Sequence, residues 1–276
     1  MARPVTEHAA RTLGQPVLLD HKPGGGFAIA PATLATAKPE GYALSIVVSN
    51  IIRVSLMQRL PFDPLADLTY ILQVCDVAVG ISARSDLPFK TIPELVAYAR
   101  ENPGKVTYGS PGVGSGAHIG MEQLARKAGI KLTHVPFRGM QEAIPAILGG
   151  HIMLLTSALE WKPHVETGQL RVLAMMTTER RALWPDVPTL SELGYASPLN
   201  FASFAIAGPK GLPAPIVSRL HDAFKAAIDD PAVKVALVSR ELLPSYRSGA
   251  DFRRHLEAMI PLERETVTAL GLGRKD

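Results

Sequence analysis

Val106-Thr107-Tyr108-Gly109-Ser110-Pro111-Gly112-Val113-Gly114-Ser115-Gly116 is the stretch on which the reading of this chain turns. A β-like run breaks into a loop of glycines and small hydroxyls, and a helix pattern near 116–128 opens directly behind it and stops at Gly129. The same order recurs at Val17-Leu18-Leu19 before Pro23-Gly24-Gly25-Gly26, and at Leu132-Thr133-His134-Val135 before Pro136-Phe137-Arg138-Gly139. A helix N-terminus carries unpaired amides and about half a positive charge, so a carboxylate or phosphate can sit there without a dedicated cation. The three loops are therefore expected to turn backbone N–H groups towards a small anion.

Outward from these loops, strand-like and helix-like segments alternate, which predicts an α/β architecture with largely parallel sheets. A helix is expected over 28–37, a strand over 42–48 ending at Ser49-Asn50, and a further strand over 77–82. Thr91-Ile92-Pro93-Glu94 reads as a capping box with proline in the first turn, opening a helix that Asn102-Pro103-Gly104 closes. Strands over 105–109, 131–135, 151–155 and 170–176 then alternate with helices near 116–128, 140–148 and 159–167. After a strand from Phe201 to Ala207, everything beyond Pro213 reads helical. This pattern divides into a first lobe of residues 1–82 and 203–276 and a second of 83–202, with two crossings between them.

At 276 residues, with 47% hydrophobic and 20% charged side chains, the chain can bury the cores of two lobes. No apolar run approaches the roughly 20 residues of a membrane-spanning helix. The 29 Lys and Arg against 25 Asp and Glu give +4 without a polybasic block, so no nucleic-acid partner is expected. The single Cys75 excludes an internal disulfide and a multi-cysteine metal site, and reads as an inert core thiol. Met1 runs straight into a helix-like pattern of Val5, Ala9 and Leu13 with no export signal before it, so either the protein is cytoplasmic or its beginning is missing.

The candidate binding residues are Ser49 and Asn50 at one strand end, Ser110, Gly114, Ser115 and His118 in and behind the central loop, and Arg138 and Gly139 in the third, with Gly25 and Gly26 as weaker ones. Ser49-Asn50 stands where ligands touch open α/β sheets, or else caps the next helix. Arg138 is the cation for an acidic ligand or a surface ion-pair partner. His118, with Glu122 at i+4, reads first as a helix-face pair. Three glycines at 24–26 exceed what one turn requires.

Gly112-Val113-Gly114-Ser115-Gly116-Ala117 also fits the dinucleotide fingerprint G-x-G-x-x-A. The next strand ends without the acid that would hold a ribose, leaving Arg138 for a 2′-phosphate. An NADP-dependent oxidoreductase is therefore the alternative to a small-anion receptor. Neither Ser110 nor Ser115 sits in G-x-S-x-G, and Gly104-Lys105-Val106 lacks the rest of a Walker loop. The eight histidines show no metal-ligand spacing. No metal, cofactor or catalysis is expected on the leading reading.

Leu13-Gly14-Gln15-Pro16-Val17, Lys22-Pro23-Gly24-Gly25-Gly26 and Pro39-Glu40-Gly41-Tyr42 begin an ordered series of motifs. Leu60-Pro61-Phe62-Asp63-Pro64, Pro103 to Ser110, Gly114 to His118, His134 to Gly139, Leu148-Gly149-Gly150 and Pro185-Asp186-Val187-Pro188-Thr189 continue it. The series resembles the Bug family of extracytoplasmic solute receptors, the binding proteins of tripartite tricarboxylate transporters, over essentially the whole chain. The resemblance implies a type II periplasmic-binding-protein fold, two α/β lobes joined by two crossing segments and closing on a small carboxylate. It also implies a monomer in the periplasm that delivers its ligand to membrane subunits.

Relative to that family, an export signal and a first strand with its Pro-Pro-Gly-Gly loop are missing ahead of Met1, which predicts a truncated sequence. Gly25 replaces the usual Ala, Phe137-Arg138 the usual Tyr-Lys, and Met153 a common Asp. The last change implies a plain carboxylate in preference to an amino acid.

Overall fold

A computed structural model describes the chain apart from residues 1, 23, 159, 178, 196–201, 241 and 275–276. Two compact units emerge: Met1–Val77 with Ala202–Asp276, and Ala78–Phe201.

The first unit holds α1 (Ala2–Leu13), α2 (Ile29–Ala35), β1 (Ser45–Val48), α3 (Ile51–Met57) and β2 (Leu68–Val77), numbered in chain order. The chain returns to it at β8 (Ala202–Pro209), followed by α8 (Ala214–Asp229), α9 (Pro231–Val238), β9 (Leu242–Ser248) and α10 (Gly249–Ala269). Its sheet runs β1-β8-β2-β9, each neighbouring pair antiparallel. β2 is central and almost wholly buried, which is why its sequence is apolar nearly without alternation. Against it packs α10, through Phe252, Leu256 and Met259. A Cβ on Gly249 would stand 2.0 Å from the Tyr70 carbonyl oxygen, so only glycine lets α10 start this close to β2. α3 is fixed to α10 by a buried ion pair, Arg53 Nε to Glu263 Oε2 at 2.6 Å and Nη2 to Oε1 at 2.8 Å.

The second unit runs β3 (Gly80–Arg84), α4 (Ile92–Glu101), β4 (Thr107–Ser110), α5 (Gly116–Ala128), β5 (Thr133–Pro136), α6 (Met140–Leu148), β6 (Leu154–Ser157), α7 (Lys162–Glu166) and β7 (Leu170–Met175). Its sheet order is β5-β4-β6-β3-β7. β4 is parallel to β5 and β6, whereas β3 is antiparallel to β6 and β7. Successive residues of β6 serve opposite faces: Leu154 joins the core of Ile92, Leu95, Met121 and Leu124, and Leu155 joins that of Ile147, Ile152 and Trp161.

Several expectations need correction. The sheets are not largely parallel, because alternation of strands and helices does not determine which strands become neighbours: β1 pairs with β8 across most of the sequence, Ser45 opposite Ala207. Val17-Leu18-Leu19 forms no strand; it pairs with nothing among the described residues, and Leu18 is 88% exposed. Pro23 of the following loop, residue 159 of the predicted helix near 159–167 and Phe201 of the strand predicted from 201 lie outside the described residues. The strand expected over 77–82 is split, since Val77 ends β2 and Gly80 opens β3. The unit boundary accordingly falls between 77 and 78 rather than after 82, and between 201 and 202 rather than after 202. The region beyond Pro213 is not all helical: Leu242–Ser248 forms β9 against β2, across an irregularity opposite Gln73 and Cys75.

The capping expectations are informative in detail. Thr91 accepts a hydrogen bond from Glu94 N at 3.3 Å, but the Glu94 carboxylate reaches back to Lys90 N at 2.6 Å and not to the Thr91 amide. Gly129 ends α5 in the left-handed conformation, φ 64°.

Candidate functional site

Because β5, β4 and β6 are parallel neighbours, their C-terminal ends lie along one edge of the second sheet, the position where open α/β sheets hold ligands. Three segments emerge there: 110–116 from β4, 136–139 from β5 and the end of β6 at Ser157. The first two touch, since Phe137 N donates to Ser110 O at 3.0 Å.

The 110–116 loop is held from within. Gly112 and Gly114 take φ of 119° and 78°, conformations that favour glycine. Gly112 N donates to Ser110 Oγ at 3.3 Å, Ser115 N to Gly112 O at 3.2 Å, and Gly114 N to His118 Nδ1 at 3.2 Å. The expectation that this loop turns its amides outward is thus corrected for these three, which are bonded to Ser110 and Gly112 of the loop and to His118 of α5. Ser115 caps α5 by accepting from His118 N at 3.2 Å. Gly116 and Gly139 each leave open space where a side chain would stand.

Below the loop lies an aromatic and acid cluster that sequence reasoning did not assemble. Tyr108 and His134 are register partners on β4 and β5 and stack with ring centroids 4.9 Å apart; His134 and His118 stack at 4.1 Å. Tyr108 Oη donates to Glu122 Oε1 at 2.6 Å, and the same oxygen lies 4.0 Å from His118 Nε2. The i,i+4 pair expected for His118 is present, but His118 also stacks on His134 and accepts the Gly114 amide. Burial raises the Tyr108 phenol, with Glu122 adding to the effect. Burial and the neighbouring His118 together push His134 down to about 4, against a smaller upward pull from Glu122.

Arg138 is exposed on the 136–139 loop and makes no hydrogen bond or ion pair among the described residues. At the end of β6, Thr156 Oγ1 and Ser157 Oγ are buried and have no hydrogen-bond partner among the described residues. These two hydroxyls were missed, although a Thr-Ser pair closing an apolar strand carries the same signal that singled out Ser49-Asn50. Met153 stands before β6, its N–H on Thr107 O and Oγ1 at the start of β4. It lies at the other end of these strands from the loops, so its replacement of an acid has no bearing on them.

In the first unit, β1 is followed directly by Ser49 and Asn50, both buried. Ser49 continues the β1–β8 ladder, with its N on Ser203 O at 2.9 Å and its Oγ accepting from Ser203 N at 3.1 Å. Asn50 Nδ2 donates to Gly26 O at 3.3 Å, joining the triple-glycine turn to the end of β1. Gly24, Gly25 and Gly26 all have positive φ, which answers why three glycines stand there. The α2 helix behind the turn is short, seven residues, so this segment offers little of the dipole expected of it.

Among the described residues no group of three or more His, Cys, Asp and Glu is placed to hold a metal, and no helix is long and apolar enough to cross a membrane. A surface recess of about 490 Å³ lined by Thr12, Leu13, Pro215 and Arg219 contains none of the candidate residues.

Residues 1–272 match the family described as the tripartite tricarboxylate transporter family receptor. The chain belongs to this receptor family. The receptor is 36% identical over 272 residues to a Cupriavidus necator protein called "UPF0065 protein in gbd 5'region", covering 99% of this chain and 83% of that one. Among solved structures it is similar to Rpa4515 of R. palustris with adipate: TM-score 0.91, 27% identity, 99% of this chain and 92% of the other. MatC (Rpa3494) from Rhodopseudomonas palustris with bound malate gives a TM-score of 0.86 at 26% identity, over 96% of this chain and 92% of the other. The fold is that of type II periplasmic binding proteins, two α/β lobes with the chain crossing twice. The Gly112–Ala117 loop therefore belongs to a solute receptor, and the oxidoreductase alternative is set aside.

Proposed function

We propose that the receptor binds a small organic carboxylate in the periplasm, as a monomer, and passes it to the membrane subunits of a tripartite tricarboxylate transporter. The observation that carries this reading is Arg138, exposed and without a partner among the described residues, on a loop bonded to the Ser110–Ser115 segment at the edge where β4 and β5 end. An arginine on a loop bonded to the segment that leads into the thirteen-residue α5 favours an anion, and its planar fork fits a carboxylate. Relatives of the same fold hold adipate and malate, which supports the same ligand class here. The contacts we assign are Ser49 and Asn50 in the first unit, and Ser110, Gly114, Ser115, His118, Arg138 and Gly139 in the second. Gly25 and Gly26 are assigned more weakly. Where the loop amides are already bonded, bridging water and the Ser110, Ser115, Thr156 and Ser157 hydroxyls carry the polar contacts.

A thermal-shift screen of mono-, di- and aromatic carboxylates beside NADPH tests this. Saturable stabilisation by a carboxylate is expected, about 3 kcal/mol at a hundredfold excess over Kd. Stabilisation by NADPH alone would overturn it.

A further inference from the structure

Asn50 is 4% exposed and stands two residues beyond β1, at the N-cap of α3. Its amide has one partner among the described residues, the Gly26 carbonyl, which Nδ2 approaches at 3.3 Å. A carbonyl oxygen only accepts, so the nitrogen must face it, and the orientation of the amide is settled. The other end, Oδ1, is buried and receives no hydrogen bond among the described residues. Asparagine in this position ordinarily turns its oxygen to the first helix amides; here it makes no cap bond. An acceptor withdrawn from water and turned away from the helix that would satisfy it needs an explanation.

We infer that Asn50 Oδ1 receives a hydrogen bond from a hydroxyl on the ligand, so that the receptor selects hydroxy-carboxylates over their deoxy counterparts. This rests on the carboxylate reading above and narrows it. Ionised carboxylate oxygens carry no proton and cannot donate to Oδ1, so of a ligand's own groups only a hydroxyl or an ammonium can reach it as a donor. An ammonium would supply one, but a buried positive charge requires a counter-charge. Ser49 beside Asn50 is neutral, and its oxygen already accepts from Ser203 N. The acid connected to this cluster, Asp76, is bonded on Oδ1 by Ser203 Oγ and Gln73 Nε2, and is linked to the Asn50 end of the cluster only through Ser203 and Ser49. An alcohol needs no such partner. A site built around a buried acceptor rejects a ligand lacking the matching donor more strongly than it prefers one of similar size, because the unmatched complex leaves the acceptor dry and unpaired.

Titration calorimetry on the whole chain with malate, succinate and aspartate, and with 2-hydroxyadipate and adipate for a longer ligand, reads the inference directly. At whichever chain length binds, the hydroxy-acid is expected to bind roughly 10- to 100-fold tighter than the deoxy-acid. In Asn50→Leu, checked for folding by its thermal melt, that ratio should fall towards one. Should the variant fail to fold, the wild-type ratio still decides. Equal affinity for hydroxy- and deoxy-acids would overturn the inference while leaving the carboxylate reading intact. Preference for aspartate over malate would overturn it in favour of an ammonium. If no carboxylate of either length bound, the functional reading itself would fall, and this inference with it.

Discussion

Ser110 Oγ lies 2.7 Å from His134 Nε2, and this contact ties the loop behind β4 to the neighbouring strand. The hydroxyl oxygen accepts from Gly112 N, and its proton lies between two acceptors, Gly112 O at 3.2 Å and the nearer His134 nitrogen, which takes it only if the imidazole is neutral. His134 meets that demand because burial and the stacked His118 hold it at about 4. In the unfolded chain the same ring takes its proton near 6.5. The unfolded state therefore binds more protons below that value. Stability is full above pH 6.5 and is lost as pH falls from 6.5 to about 4. About 1–2 kcal/mol is expected, allowing for solvent screening of a ring that is only partly buried. Urea unfolding at pH 7.5 and 4.5 measures it, and His134→Phe, which retains a stacking ring, should show a smaller difference between the two.

Arg138 has no structural partner to lose among the described residues. Arg138→Gln is expected to weaken carboxylate binding about 10- to 100-fold, in line with a charge-assisted hydrogen bond. Its melting temperature should stay within a degree or two of the parent, since surface substitutions of this kind cost little. Unchanged affinity in calorimetry would remove Arg138 from the site.

Burial raises the Glu263 carboxyl, while Arg53 draws it down. Removing one partner strands the other in the core, so Arg53→Met is expected to cost about 3–5 kcal/mol in urea denaturation. Arg53→Met combined with Glu263→Leu should recover much of that loss, because two apolar chains need no hydration.

Gly249→Val places a side chain against the Tyr70 backbone, where even Cβ would stand 2.0 Å from the carbonyl oxygen. Neither β2 nor α10 can yield without disturbing the first unit's core, and a loss of roughly 3 kcal/mol or more is expected. A melting temperature equal to the parent's would show that the entry to α10 shifts freely.

Local chemistry was readable where the deciding groups are neighbours in sequence. Thr91 caps α4 through Glu94 N, and Gly129 stops α5 in the left-handed conformation, both as their residue types require. What escaped depends on distant partners. Val17-Leu18-Leu19 is as β-prone as β5, but a strand exists only when another strand bonds to it. β9 is a strand because β2 lies beside it; its own sequence, with Pro244 inside, points elsewhere. In the binding loop, Ser110 and Ser115 were visible as hydroxyls among glycines. That Ser110 meets His134 and Tyr108 meets Glu122 follows from the register of β4 on β5 and the packing of α5, neither of which periodicity encodes. Met153 shows the reverse error, a departure from the family pattern that seemed to concern the ligand and instead lies at the wrong end of the strand.

Cys75 lies fully buried in β2, and burial, with Asp76 beside it, pushes its thiol up to about 12. A sulfur so protonated and enclosed is almost inert to alkylating reagents while the first unit keeps its form. The chain thus carries its own single-site reporter of opening: the rate at which a maleimide or iodoacetamide label is taken up reads how often β2 is laid bare, with no engineered probe and no second thiol to confuse the signal.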